Sequence, residues 1–220
     1  MQPLVLLRVI LGVLFIPATL LGAAGRWNWW EAWAVTAVFF AYFLASGMYL
    51  VRHNKALLEK RLDTKLSPHA WDRVFTVVSG VFFLVEFVGC GLDERFGWST
   101  VPPWARLVGL VVMTLSLVVV FLVTRENTFL ARVVVLQEGQ QVITTGPYAV
   151  VRHPMYAAFV WMMPAFALAL DAPSMLPVAA CILGTLVFRT VREDAFLHRG
   201  LQGYASYAQQ TRYRLLPGVW

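Results

Sequence analysis

Apolar residues run through this chain in six blocks, each ended by a short polar stretch. Four blocks are long, over residues 4–24, 30–51, 75–92 and 107–123. A helix needs about 20 mostly apolar residues to cross the roughly 30 Å hydrocarbon core of a bilayer, and these four read as spans. Two later blocks, residues 156–170 and 175–187, are too short to cross comfortably at about 1.5 Å per residue. Asp171-Ala172-Pro173-Ser174 between them reads as a tight turn, so the pair is predicted to form a short helical hairpin with arms that run past the hydrocarbon on one side. Arg8 interrupts the first block close enough to its end to snorkel to the headgroups. Gly22-Ala23-Ala24 has some look of a signal-peptide cleavage site, but no basic n-region precedes the apolar run and further spans follow it. The pattern therefore predicts an all-α polytopic transmembrane helical bundle of about six spans, five being the other count it allows.

Composition supports this reading. Apolar types make up 59% of the 220 residues and charged types 14%, against about 25% charged in soluble domains. A soluble fold of this size could not hide so much apolar surface, and a disordered chain would carry far less. Cys90 and Cys181 are the only cysteines and both lie in apolar blocks, where a thiol packs as a small hydrophobe, so a disulfide scaffold is excluded. A net charge of +6 would suit nucleic acid if it formed one surface, but the charges collect at the ends of the apolar blocks. No nucleic-acid partner is expected.

The second and fourth loops and the tail carry fourteen Lys and Arg, and the opposite side carries three, Arg8 aside. The positive-inside rule then places both termini and loops 2 and 4 in the cytoplasm, in keeping with a bacterial inner membrane. Trp27, Trp29, Trp30 and Trp33 are expected at the outer interface, where amphipathic rings settle.

Two of the cytoplasmic segments hold more polar chemistry than topology requires. In the first, Gly139 to Tyr156, Gly146-Pro147 marks a turn and Pro154 opens the next helix. Arg152 and His153 stand just before that helix N-terminus, whose free N–H groups favour an anionic ligand group. His153 can donate, accept or take a proton near neutral pH. Taken alone, an Arg152 that snorkels and a His153 that caps the helix explain the same residues. In the second, Phe188 to Pro217, the last span is expected to continue as one helix. Arg189 and Glu193 then share a face, with Asp194 about 100° round from Glu193. A plain ion pair on a solvated helix, with Arg212 and Arg214 on lipid phosphate, is the alternative. Tyr204, Tyr207, Tyr213 and Trp220 could likewise serve as interfacial anchors.

Outside these segments, Glu86 falls inside the third block, where an ionisable group is costly and often functional. A neutral or hydrogen-bonded glutamate facing neighbouring helices is the other reading. His53 and His69 have no partner at metal-ligand spacing and read as surface residues, and no metal is expected.

Taken together, the two segments resemble a known family. Gly146-Pro147-Tyr148 followed by Arg152-His153-Pro154-Met155-Tyr156 resembles the G-x-Y-x-x-x-R-H-P-x-Y signature of the membrane methyltransferases that include isoprenylcysteine carboxyl methyltransferases and phospholipid N-methyltransferases. Arg189, Glu193-Asp194 and Leu197, then Tyr204, Tyr207, Arg214 and Pro217, are similar to that family's R-x-x-x-E-E-x-x-L…Y-x-x-Y…P ending. The two blocks stand in family order over roughly the last 80 residues, separated by a hairpin of the expected size.

The resemblance implies an enzyme that uses S-adenosyl-L-methionine, held by the two cytoplasmic blocks under a C-terminal helical cap. The chain would divide into N-terminal spans 1–4, residues 1–124, and a catalytic region, residues 125–220. Carried over by position, Gln140, Gly146, Tyr148, Arg152, His153, Pro154, Tyr156, Tyr204 and Tyr207 would belong to the cofactor site. Arg189, Glu193 and Asp194 would belong to the catalytic one. The expected partners are a lipophilic small-molecule acceptor (a carboxylate, amine or thiol) and membrane lipids.

Rossmann-type binding is not expected, because Gly89-Cys90-Gly91 sits inside a span without the strand-turn-helix context. The chain also departs from the pattern. Asp194 stands for the second glutamate, Gln140 for a histidine and Ala158 for a glycine, and the stretch from Leu197 to Tyr204 is one residue short. These departures weaken prenylcysteine as acceptor more than they weaken the fold. A membrane NADPH-dependent reductase of the sterol-reductase kind shares R-H-P-x-Y, but it carries an acidic residue shortly after the tyrosine, where Ala157, Ala158 and Phe159 stand here. A non-catalytic membrane protein of the same fold is the third reading.

Overall fold

The computed structural model describes residues 3–62 and 66–220, and for 3–11 and 13 the backbone alone. The snorkelling expected of Arg8 and the charge of Lys65 thus fall outside the described side chains. The helices are α1 (Pro3–Ala24), α2 (Trp30–His53), α3 (Lys55–Leu62), α4 (Ala70–Phe96), α5 (Pro103–Glu126), α6 (Pro154–Ala169), α7 (Leu176–Gly200) and α8 (Tyr204–Gln210). No strand occurs among the described residues. Each of the six apolar blocks has become a helix, in a polytopic helical bundle.

Among the described residues, Trp30–His53, Ala70–Phe96, Pro103–Glu126 and Pro173–Gly200 are long and apolar enough to cross a membrane. The helix α6, at 16 residues, is the short arm of the expected hairpin. The helix α7 is not short; it runs 25 residues, from the Asp171–Ser174 turn through the polar stretch that carries Arg189 and Glu193. No proline or glycine interrupts it between Thr185 and Arg199, so helix propagates past the apolar block without a break.

The bundle wears its apolar side outward. Along α4, Val74, Val77, Val81, Leu84 and Val85 are exposed, while Asp72, Ser79, Glu86 and Asp93 are buried. This reversed polarity, with comparable exposed valines and leucines along α5, suits a lipid solvent and not water. Glu86 is fully buried with neither carboxyl oxygen hydrogen-bonded, which places it facing neighbouring helices rather than lipid. Phe166 of α6 sits at the centre, packed on Phe39 of α2 and Phe87 of α4.

Ion pairs at one end and hydrogen bonds at the other gather the loops. Arg106 bridges Glu31 at 2.9 Å and Asp171 at 2.8 Å, and Arg26 pairs with Glu94, so loops 1, 3 and 5 meet at one end. Lys60 and Arg61 of α3 reach Gln137, Leu130 and Thr124 at the other end. Trp27, Trp30 and Trp33 are exposed at the first end, as an interfacial belt requires. Trp29 departs from the expectation: as the residue before α2 it turns inward and is fully buried in the core.

Lipid offers helices no hydrophobic drive to associate, so close packing of small residues matters. At Gly109 of α5 a Cβ would stand 2.6 Å from the Ala169 nitrogen and 2.7 Å from the Ala165 oxygen of α6. Backbone cannot yield there as a side-chain tip could. Gly109→Ala is expected to cost about 1–3 kcal/mol by overpacking, read as a lower melting temperature in detergent; an unchanged melting curve would show that the α5–α6 contact is looser than described.

Candidate active site

The site begins with a turn. Gly146 has φ 58°, a conformation side chains rarely adopt, and a Cβ on it would lie 3.2 Å from the Glu126 carboxyl carbon. Glu126 accepts a hydrogen bond from the Thr145 hydroxyl, which fixes the end of α5 to the start of this turn. Residues Gly146–Ala149 form one 3₁₀ turn, and Pro154 then opens α6 at its first position, where a missing N–H costs nothing. The polar half of α7 and the short α8 pack beside this turn, and the tail doubles back across it.

One carboxylate ties these pieces together. Asp194 is 2% exposed and accepts from Arg152 Nε at 2.9 Å, from Arg214 Nε at 2.9 Å and from the Tyr204 hydroxyl at 2.9 Å. His153 Nε2 lies 3.4 Å away. Arg152, itself buried, also donates to the carbonyls of Thr211 at 2.9 Å and Arg212 at 2.7 Å. Burial pushes the Asp194 carboxyl upward, but hydrogen bonds from His153, Arg152, Arg214 and Tyr204 outweigh it and hold the group well below the usual carboxylate range.

Arg152 therefore does not snorkel. The backbone N–H groups of Arg152 and His153 are not free for an anion either; they donate to the carbonyls of Tyr213 and Arg214. Chain from some sixty residues downstream has taken those donors, which spacing along the sequence could not reveal.

A cleft opens between the two blocks. Tyr148, Arg152, His153, Pro154, Tyr156, Arg189, Glu193, Tyr204 and Tyr207 line it, and Gln140 lies in the irregular 127–145 loop that forms its far wall. Gly146 shapes the turn without lining the cleft, and Asp194 lies behind the lining as the hub of the ion cluster. At the floor, Val123, Tyr148, Tyr204 and Tyr207 form one buried cluster.

The polar side chains of the cleft have distinct settings. Tyr156 donates to Glu193 at 2.6 Å, and its ring stacks near-parallel with His153, centroids 5.8 Å apart. Glu193 also sits 3.9 Å from Arg189 Nε and 4.0 Å from His153 Nδ1. Tyr207 donates to the Tyr148 carbonyl at 2.7 Å. Burial first of all pushes the Tyr207 hydroxyl up to about 12, and it likewise raises Tyr148 and Tyr204, the latter also through the Asp194 charge. These three phenols stay protonated and serve as donors and apolar faces, which leaves Glu193 and His153 as the groups on the cleft able to accept a proton.

Three contacts around the cleft escaped the sequence reading. Asn127 donates to the Tyr148 hydroxyl at 2.7 Å. Arg214 was visible in the tail pattern, but its pairing with Asp194 was not. Asp72, more than seventy residues before either block, lies 3.1 Å from Arg189; nothing in the sequence set it apart from Glu59 and Asp63 of the same basic loop.

Fold and site together define a polytopic membrane protein whose polar end carries a cleft built from two tail-half segments. Residues 107–199 match the isoprenylcysteine carboxyl methyltransferase family, which makes the chain isoprenylcysteine carboxyl methyltransferase-like over 93 of its 220 residues. That stretch holds both the 146–156 turn and the Arg189–Asp194 cluster and supports a membrane methyltransferase-like function in general. No curated protein matches the chain closely.

Proposed function

We propose that this protein is an integral membrane methyltransferase that uses S-adenosyl-L-methionine and acts on a lipophilic or membrane-associated small acceptor bearing a carboxylate, amine or thiol. The observation that carries this reading is the meeting of the 146–156 and 189–214 segments around one cleft whose polar groups sit among aromatic rings. The donor set suits the cofactor: the Tyr156 and His153 rings beside the Glu193 carboxylate offer a cation both π-faces and a counter-charge. When bound, the cofactor supplies an electrophilic methyl group on a sulfonium and departs as a neutral thioether.

The chain's own residues then have three tasks. Tyr148, His153, Pro154 and Tyr156 would hold the donor, with Gln140 at the wall and Tyr204 and Tyr207 closing the floor. Arg189 would orient an acceptor carboxylate or phosphate through its fork of N–H groups, and its Nε has no hydrogen-bond partner of its own. Glu193 would balance cationic charge and, for an amine acceptor, take the proton, with His153 the alternative base. Enclosure by the 127–145 loop excludes water, and alignment supplies most of the rate. We place this end of the bundle at the cytoplasmic face on the charge asymmetry of the loops, and take residues 125–220 as the catalytic region because both polar segments fall within it.

The test is a thermal-shift titration with S-adenosylhomocysteine and, separately, NADPH, on wild type and His153→Ala. His153→Ala keeps the backbone bond to Arg214 and should stay folded. S-adenosylhomocysteine should stabilise the wild type and bind at least about tenfold more weakly to the variant, a loss of some 1.4 kcal/mol. Normal binding by the folded variant, or stabilisation by NADPH alone, would refute the reading.

A further inference from the structure

Arg189 does not stand free over the cleft; a second carboxylate, remote in sequence, holds it from behind. Asp72 is fully buried in the first turn of α4. One of its oxygens lies 3.1 Å from an Arg189 terminal nitrogen, and the other accepts the Val134 N–H at 3.0 Å. The same Arg189 nitrogen donates to the Arg132 carbonyl at 2.9 Å. The guanidinium also lies over the rings of Phe75 at 4.4 Å and Tyr156 at 5.7 Å. Arg189 and the Val133–Val135 stretch both line the cleft, so a single carboxylate braces a cation of the site and the stretch of wall beside it.

We propose that Asp72 is a positioning residue for methyl transfer: it holds Arg189 on the acceptor side of the cleft, away from Glu193, and pins the 127–145 loop as the cleft wall. This rests on the methyltransferase reading above. The physical argument turns on competition between carboxylates. Arg189 Nε is already only 3.9 Å from Glu193. With Asp72 in place the guanidinium has a partner on its far side, and Glu193 keeps the Tyr156 hydroxyl at 2.6 Å. Without the Asp72 charge, a largely desolvated cation left with a carbonyl and two ring faces is drawn to the nearest remaining anion. Arg189 then closes onto Glu193, and both groups are lost to the acceptor.

Asp72 lies outside residues 107–199 and outside both tail-half segments. The site is therefore completed by α4, one of the spans that precede the matched stretch.

Asn in place of Asp72 keeps an oxygen for the Val134 N–H and removes only the charge, so it separates the two roles. In detergent-solubilised full-length protein, transfer of a labelled methyl group from S-adenosylmethionine into total host lipid extract should fall at least about tenfold in kcat for Asp72→Asn. KM for the methyl donor should stay within about twofold. Arg189→Gln should lose about as much, and the double variant, in which no buried charge is left unpaired, should lose no more than Arg189→Gln alone. Losses that multiply in the double variant, a wild-type kcat in Asp72→Asn, or a donor KM that rises in step with the fall in kcat would overturn the positioning role while leaving the methyltransferase reading intact. Absence of both transfer and S-adenosylhomocysteine binding in the wild type would instead overturn that reading, and this proposal with it.

Discussion

Asp194→Ala is expected to cost about 3–5 kcal/mol of stability, the range for breaking a buried ion pair from one side, and to abolish cofactor binding with it. The substitution leaves Arg152 buried with no counter-charge, and it takes an acceptor from Arg214, Tyr204 and His153 at once. For a chain of this length such a loss amounts to a fall of roughly 6–20 °C in melting temperature. The large effect comes less from what the pair gains than from what a stranded guanidinium loses. Arg152→Met on top of Asp194→Ala should therefore recover part of the stability. A fall of under about 2 °C in the single variant would show that the cluster is solvated and carries no structural weight. Because the Asp194 carboxyl is held below its ordinary value in the folded protein, its contribution is complete above about pH 4 and is lost only as the pH falls through the lowered folded value. Stability should accordingly show no titration of this group between about pH 5 and 9.

Glu193→Gln is expected to act on turnover and leave the fold alone. The side chain is partly exposed on the cleft, and glutamine keeps an oxygen to accept the Tyr156 hydroxyl. The swap removes a negative charge 3.9 Å from Arg189 and 4.0 Å from His153. The cleft would lose both the counter-charge for a cationic donor and its nearest carboxylate base. Together these should lower methyl transfer by about a hundredfold, the low end for removing a general acid–base group, with a melting temperature within about 2 °C of wild type. Labelled-methyl transfer into lipid extract, run beside a thermal scan, measures both. A rate within about threefold of wild type would remove Glu193 from the chemistry and leave His153 as the group that handles protons.

The two substitutions fall on adjacent residues of one helix and are expected to fail in different ways. The sequence reading grouped Glu193 and Asp194 as one acidic pair. Their side chains leave α7 about 100° apart, which sends one onto the cleft and the other into the ion cluster behind it. Helical periodicity announced that divergence, but which of the two directions held the cleft depended on where α8 and the tail came to rest. Arg152 is a similar case. Its place before the α6 N-terminus was legible, and its use as a clamp on the carbonyls of Thr211 and Arg212 was not.

Local chemistry settled much of this molecule from residue order. Six apolar blocks had to become helices, because lipid admits only helices and closed barrels and continuous apolar runs of this length suit helices and not barrel strands. Pro154 had to open α6 and Asp171–Ser174 had to turn, since both depend on near neighbours in the chain. The two polar segments announced themselves by composition and by their likeness to one family. Contacts between distant segments were beyond that reach: the inward turn of Trp29, the Asn127 bond to Tyr148, the tail carbonyls on Arg152 and the Asp72 brace behind Arg189. Each joins residues more than twenty positions apart, or selects one face of a helix among several that look alike. A pairing of that kind is chosen when whole helices dock and a buried charge must find its partner, and nothing in the neighbouring residues records the choice.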